Sequence, residues 1–369
     1  MKVKFKLIIF ISLMIAVMVM FIAITNAKDR VVNIYNWAEY KAPDTLTGFE
    51  KKTGIRFRYD VYDSNDTLQA KLLTGKSGYD IVVPSSHYAS RQIQNGFFQK
   101  LDKSKIPNLR YLDKDIMALV AEIDPDNLHA VPWGYGTNGL GFNITKVRKI
   151  LGNDIALGTW DLLFKPENAS KLKECGISIL DEAAQVFPAV LKYLGKDPNS
   201  SNPDDYKTAF KVLKSIRPYI RQFSSSGYID ELVVGDLCMA YSFSGDVMIA
   251  RKRAKEAKKT YEIQYFIPEG GSPAWFDLML IPKDAPHVEE AHTFINYMET
   301  PQVHAAITNT MFYPNANKEA RKYVMRDIAN NAMIYPSENA AKSLYVIKVQ
   351  PPNIQRLQTR LWADLKSSK

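Results

Sequence analysis

Before residue 90, the spacing of apolar residues switches repeatedly between the period of a strand and that of a helix, and no other feature limits the fold as tightly. Val32 and Ile34 begin a strand over 31–37. Asp44 is placed to cap a helix carrying Leu46 and Phe49 and stopped by Gly54, after which Ile55, Phe57, Tyr59 and Val61 alternate. Asn65 or Asp66 caps a second helix with Leu68, Leu72 and Leu73 on one side and Gly75 past its end. The short apolar strand Ile81-Val82-Val83 then closes at Pro84. Strands joined through helices pair in parallel, so this region predicts an α/β lobe. Ligands of such sheets gather at the carboxyl ends of strands, where residues 37–40 and 84–88 fall.

The middle of the chain repeats the pattern. Asn202-Pro203 opens a helix whose Tyr206, Ala209, Phe210, Leu213 and Ile216 share one face, and residues 238–243 read as a buried strand, which predicts a second α/β lobe. Residues 140–143 and 276–281 are apolar, strand-like passages beside Gly-rich or Pro-rich turns, and they mark the expected crossings between lobes.

The amino terminus sets the expected compartment. Lys2, Lys4 and Lys6 precede an apolar run over residues 7–24 broken only by Ser12, and Ala27 offers a small residue for cleavage ahead of Lys28-Asp29-Arg30. This predicts a signal peptide over 1–27, cleaved after Ala27, with an uncleaved anchor as the alternative. Removing it lowers the formal charge from +9 to +6 by loss of three lysines. Cys175 and Cys238 are the only cysteines, and an even count in an oxidising compartment predicts a disulfide. The densest basic run, Arg251-Lys252-Arg253-Ala254-Lys255, has Ala250, Ala254 and Ala257 between its charges and reads as a solvated helix face; no nucleic-acid partner is expected.

Aromatic rings stand beside carboxylates, or in one case an amide, at Trp37-Ala38-Glu39-Tyr40, Phe243-Ser244-Gly245-Asp246, Trp275-Phe276-Asp277 and Phe312-Tyr313-Pro314-Asn315. A ring offers its negative face to a cation and a carboxylate accepts charge-assisted hydrogen bonds, so a pocket built from both suits an organic ammonium ligand. The histidine spacing fits no zinc helix, Gly75-Lys76-Ser77 lacks the first glycine of a phosphate loop, and no Gly-x-Ser-x-Gly elbow occurs. No metal, no cofactor and no enzymatic activity are expected. The competing class is a secreted hydrolase using two carboxylates.

Several segments resemble the periplasmic polyamine-binding proteins of bacterial ABC importers, most of all their putrescine-binding branch. They are Tyr35-Asn36-Trp37-Ala38-Glu39-Tyr40, Tyr79-Asp80-Ile81-Val82-Val83-Pro84-Ser85, Leu194-Gly195-Lys196-Asp197-Pro198-Asn199-Ser200, Phe276-Asp277 and Phe312-Tyr313-Pro314-Asn315-Ala316-Asn317-Lys318. The resemblance implies a two-lobed periplasmic binding protein fold, each lobe a sheet flanked by helices and the two hinged by crossing strands. The expected lobes are 28–139 with 279–340, and 140–278, with 341–369 packing back on them. The implied role is a monomeric periplasmic protein that closes on a protonated diamine and docks on membrane permease subunits. Carried over, Trp37 and Tyr40 form part of an aromatic wall with Phe243, Trp275 and Tyr313. Ser85 is a polar contact, and Asp246 and Asp277 are the ammonium-binding acids. Glu39 stands where the family commonly has Asp. Gln185 stands where putrescine binders carry Glu, and Glu182 lies three residues earlier, so putrescine, spermidine and agmatine all remain as ligands.

Overall fold

The computed structural model describes residues 30–38 and 40–368; the expected signal peptide, its cleavage point and Glu39 lie outside the described residues. The strands of the first part are β1 (Val31–Trp37), β2 (Arg56–Tyr62), β3 (Ile81–Val82) and β4 (Ala130–Asn143). They are followed by β5 (Ile177–Ile179), β6 (Gln222–Phe223), β7 (Met239–Phe243), β8 (Ile263–Phe266), β9 (Pro273–Leu280) and β10 (Tyr345–Val346). Their order is β2-β1-β3-β9-β4-β7-β5-β6, with β10 beside β9 and β8 beside β4.

β1 pairs in parallel with β2 and β3, as their helical connections require. β4 joins the two halves of the sheet: from Ala130 to Thr137 it runs antiparallel to β9, and from Asn138 to Phe142 antiparallel to β7. All of its positions are buried. The change of partner falls just ahead of residues 140–143.

The core divides with the sheet. Val32, Ile34, Phe49, Trp133 and Phe294 pack on one face of the first half, and Tyr35, Leu68 and Phe276 on the other. Leu140, Phe142, Phe187, Tyr206 and Tyr241 pack in the second half. The carboxyl-terminal helix Pro352–Ser367 inserts Ile354, Leu357, Trp362 and Leu365 into that second core, while β10 just before it pairs with β9. A disulfide between Cys175 and Cys238, with Cα atoms 5.6 Å apart, fastens the chain ahead of β5 to that ahead of β7. No helix among the described residues is long and apolar enough to cross a membrane.

One helix start differs from the sequence reading, and another keeps the expected cap residue without its bond. Helix Asn65–Leu73 is capped by Ser64, whose hydroxyl accepts from the Thr67 N–H at 3.1 Å. Asn65 instead accepts from the Ser85 N–H at 3.0 Å, and Asp66 accepts from the Tyr88 hydroxyl at 2.6 Å. Asp44 does occupy the cap position of helix Thr45–Thr53, yet its side chain makes no capping bond.

Candidate functional site

A cavity of about 880 Å³ lies between the two halves, and its wall includes Trp37, Tyr40, Ser85, Glu182, Gln185, Phe243, Asp246, Trp275, Asp277 and Tyr313. Every site residue expected from the sequence that is described therefore faces one space. Strand alternation explains the third cluster: in β9, Trp275 and Asp277 point to the cavity, while Phe276 between them is fully buried in the core. The fourth cluster separates. Phe312 takes a left-handed conformation (φ 60°) that ends helix Pro301–Met311. Asn315 is buried and donates to the Thr308 hydroxyl at 2.8 Å, so of this cluster only Tyr313 reaches the cavity.

Each of the two central acids is held by two hydroxyl groups. Asp277 accepts from the Ser85 hydroxyl at 2.6 Å and from the Tyr40 hydroxyl at 2.6 Å. Ser85 sits at the cap position of helix Ser86–Gln94 but makes no capping bond with its side chain, which leaves its hydroxyl available to Asp277. Asp246, in the first turn of helix Ser244–Glu256, accepts from the Tyr228 hydroxyl at 2.6 Å and from the Tyr313 hydroxyl at 3.0 Å. Tyr228 is fully buried and had no sequence signal, because it precedes Asp246 in no recognisable motif.

The rings stand edge to face around these acids. Phe243 and Trp275 have centroids 5.9 Å apart, and Trp275 and Tyr313 5.0 Å. Small residues make the room: a β-carbon on Gly136 would run into the Trp275 indole, and one on Gly245 into the Tyr313 ring. Trp37 is fixed at the end of β1 by its indole N–H, which donates to the Val83 carbonyl at 3.0 Å.

Burial raises the proton affinity of both acids. Removal from water pushes Asp277 up to about 6, although the Ser85 and Tyr40 hydroxyls favour its charged form. Asp246 is raised for the same reason, against the opposing effect of Tyr228, Tyr313 and Arg253. Asp277 is buried and Asp246 half-buried, and an ammonium bonded to either would offset the cost of removing its carboxylate from water.

The far wall differs in charge. Gln185 is buried, its side-chain oxygen accepting from the Asn138 amide at 2.7 Å and its backbone carbonyl from the Tyr241 hydroxyl at 2.9 Å. Glu182, at the cap position of helix Ala183–Tyr193, makes no capping bond and faces His87 of the other half at 3.4 Å. His87 was not among the expected site residues, although it follows Ser85-Ser86 at the end of β3. Among the described residues no group of His, Cys, Asp and Glu has the arrangement of a metal site.

Residues 45–334 match the bacterial extracellular solute-binding protein family. The chain is 47% identical over 343 residues to a putrescine-binding periplasmic protein of Pseudomonas aeruginosa, covering 93% of this chain and 94% of the relative. It is 46% identical over 355 residues to a putrescine-binding periplasmic protein of Escherichia coli, covering 96% of each. A solved spermidine/putrescine ABC transporter substrate-binding protein from Streptococcus pneumoniae superposes with a TM-score of 0.81 at 25% identity, over 92% of this chain and 99% of that one. With two α/β halves, an acid-and-ring cavity between them and a family match over residues 45–334, this chain belongs to the bacterial extracellular solute-binding proteins.

Proposed function

We propose that the protein is the periplasmic binding component of a polyamine ABC importer, capturing a protonated diamine, putrescine first among them, and delivering it to membrane permease subunits. The observation that carries this reading is the pair of carboxylates, Asp246 and Asp277, facing one cavity with Trp37, Tyr40, Phe243, Trp275 and Tyr313. Alkyl amines titrate near the lysine value of about 10.4, so putrescine is a dication at neutral pH and each end needs an acceptor when water is expelled. Asp246 and Asp277 supply these acceptors. The rings enclose the methylene stem, each well-placed contact between ring and cation contributing about 0.5–2 kcal/mol.

The expected lobes are 28–139 with 279–340, and 140–278, with 341–369 packing back on both; β9, which carries Trp275 and Asp277, pairs with β3 in the first half of the sheet, so this reading counts residues 273–278 with the first lobe. The acids are divided between the two sheet halves, so a ligand touching both favours the closed arrangement. The protein acts as a monomer, exported with its signal peptide removed after Ala27. A second reading, spermidine as ligand, is favoured by one observation: Glu182 stands in the cavity wall beside Gln185, a carboxylate apart from Asp246 and Asp277. Thermal-shift titration of the mature protein with putrescine, cadaverine, spermidine, agmatine and a set of amino acids tests both. Stabilisation by putrescine above all supports the first, and stronger stabilisation by spermidine the second. Response to amino acids alone rejects both.

A further inference from the structure

Asp246 depends on a residue that does not face the ligand space. The Tyr228 hydroxyl is engaged twice: it donates to Asp246 Oδ2 at 2.6 Å and accepts from the Phe243 N–H at 3.2 Å. A backbone N–H can only donate and an ionised carboxylate can only accept, so the Tyr228 hydroxyl hydrogen points to Asp246. The Tyr228 ring is fully buried among the second half's core and begins helix Tyr228–Val234, so this donor moves with that half. The other donor to Asp246 is the Tyr313 hydroxyl, from a segment whose ring packs against the first half's core. Tyr313 therefore reaches Asp246 across the cleft, whereas Tyr228 holds it from behind.

We infer that Tyr228 is a positioning residue that fixes the rotamer and the charged form of Asp246 before the halves close, so that the second ammonium end meets a preorganised acceptor. The same hydroxyl, through the Phe243 N–H, pins the backbone of an aromatic wall residue next to that acceptor. Three ionisable groups act on Asp246: Tyr228 and Tyr313 through their hydroxyls, and Arg253 through its charge. Each favours the carboxylate against the burial that opposes it. Removing one hydroxyl leaves the acid more readily protonated, so a loss of donor appears as a displaced pH dependence of binding and not only as weaker binding.

The inference rests on the reading of Asp246 as an ammonium contact, and the experiment separates the two. Putrescine binding by the full mature protein is measured by calorimetry from pH 5 to 8 for the parent, Tyr228→Phe and Asp246→Asn. Tyr228→Phe is expected to weaken binding about tenfold to a hundredfold, the range for a lost hydrogen bond to a charged group. It is also expected to move the acidic limb of the affinity profile to higher pH. Incorporating 3-fluorotyrosine at 228, a stronger donor of the same shape, should move that limb to lower pH and provides the test if the phenylalanine variant fails to fold. If Asp246→Asn weakens binding while Tyr228→Phe or the fluorinated residue leaves the profile in place, Tyr228 is only a packing residue and the inference fails alone. If Asp246→Asn binds as the parent does, the contact itself is wrong and both fall.

Discussion

Asp277 carries one end of the proposed ligand contact, its two oxygens each held by a hydroxyl, Ser85 on one and Tyr40 on the other. Its place beside Trp275, with Phe276 turned inward, follows from strand alternation and needed no tertiary information. Its bonds to Ser85 and Tyr40 join positions 192 and 237 residues away along the chain, and nothing local encodes them. Tyr228 was illegible for the same reason, since a lone tyrosine at a helix start carries no pattern. Replacing Asp277→Asn should weaken putrescine binding about tenfold to a hundredfold, by loss of a charge-assisted contact. The melting temperature should not fall, because the amide removes a carboxylate whose burial is unfavourable; calorimetry and thermal unfolding check the two parts.

The raised proton affinity of Asp277 gives a signed pH dependence. The amine stays charged throughout, so affinity should fall as pH drops through about 6 and the carboxylate is neutralised. Stability of the ligand-free protein runs the other way. An acid whose folded value lies above its unfolded value of about 3.9 contributes stability that is present below that value and lost as pH rises towards about 6. The increase in melting temperature on adding saturating putrescine should therefore be larger at pH 7 than at pH 5.

At the scale of elements, the parallel arrangement of β1, β2 and β3 was readable because a change of hydrophobic period announces each crossover. Helix starts were less readable. Ser64, Asn65 and Asp66 are all competent caps, and the choice of Ser64 is made by the distant demands of Ser85 and Tyr88 on the other two. The long β4 was seen only in its last residues, since a strand buried along its whole length does not alternate. Helix Ser244–Glu256 brings Gly245 under the Tyr313 ring, and this close approach is what lets Tyr313 reach Asp246. Gly245→Ala should displace the ring and weaken putrescine binding about tenfold, the lower part of the cost of overpacking, with helix content by circular dichroism unchanged.

At the level of the whole molecule, the cavity is built from both sheet halves, joined by β4 and the carboxyl-terminal segment. His87 and Glu182 face each other across the same cleft at 3.4 Å. A ligand that bonds to Asp246 on one side and Asp277 on the other stabilises the arrangement in which both are near, so saturating putrescine should lower the radius of gyration measured by small-angle X-ray scattering. Asp246→Asn should lessen that compaction at equal putrescine concentration. The general architecture was accessible from periodicity, but the convergence of distant rings and acids on one space was suggested only by their repeated pairing in the sequence and by family resemblance.

The central claim is that two ammonium ends are held by two carboxylates. It is tested most directly by calorimetric titration of the mature protein with putrescine and with n-butylamine, which keeps the four-carbon stem and lacks one charge. Leaving one buried carboxylate unpaired predicts that butylamine binds at least about a hundredfold more weakly. Equal affinity for the two amines would contradict the account.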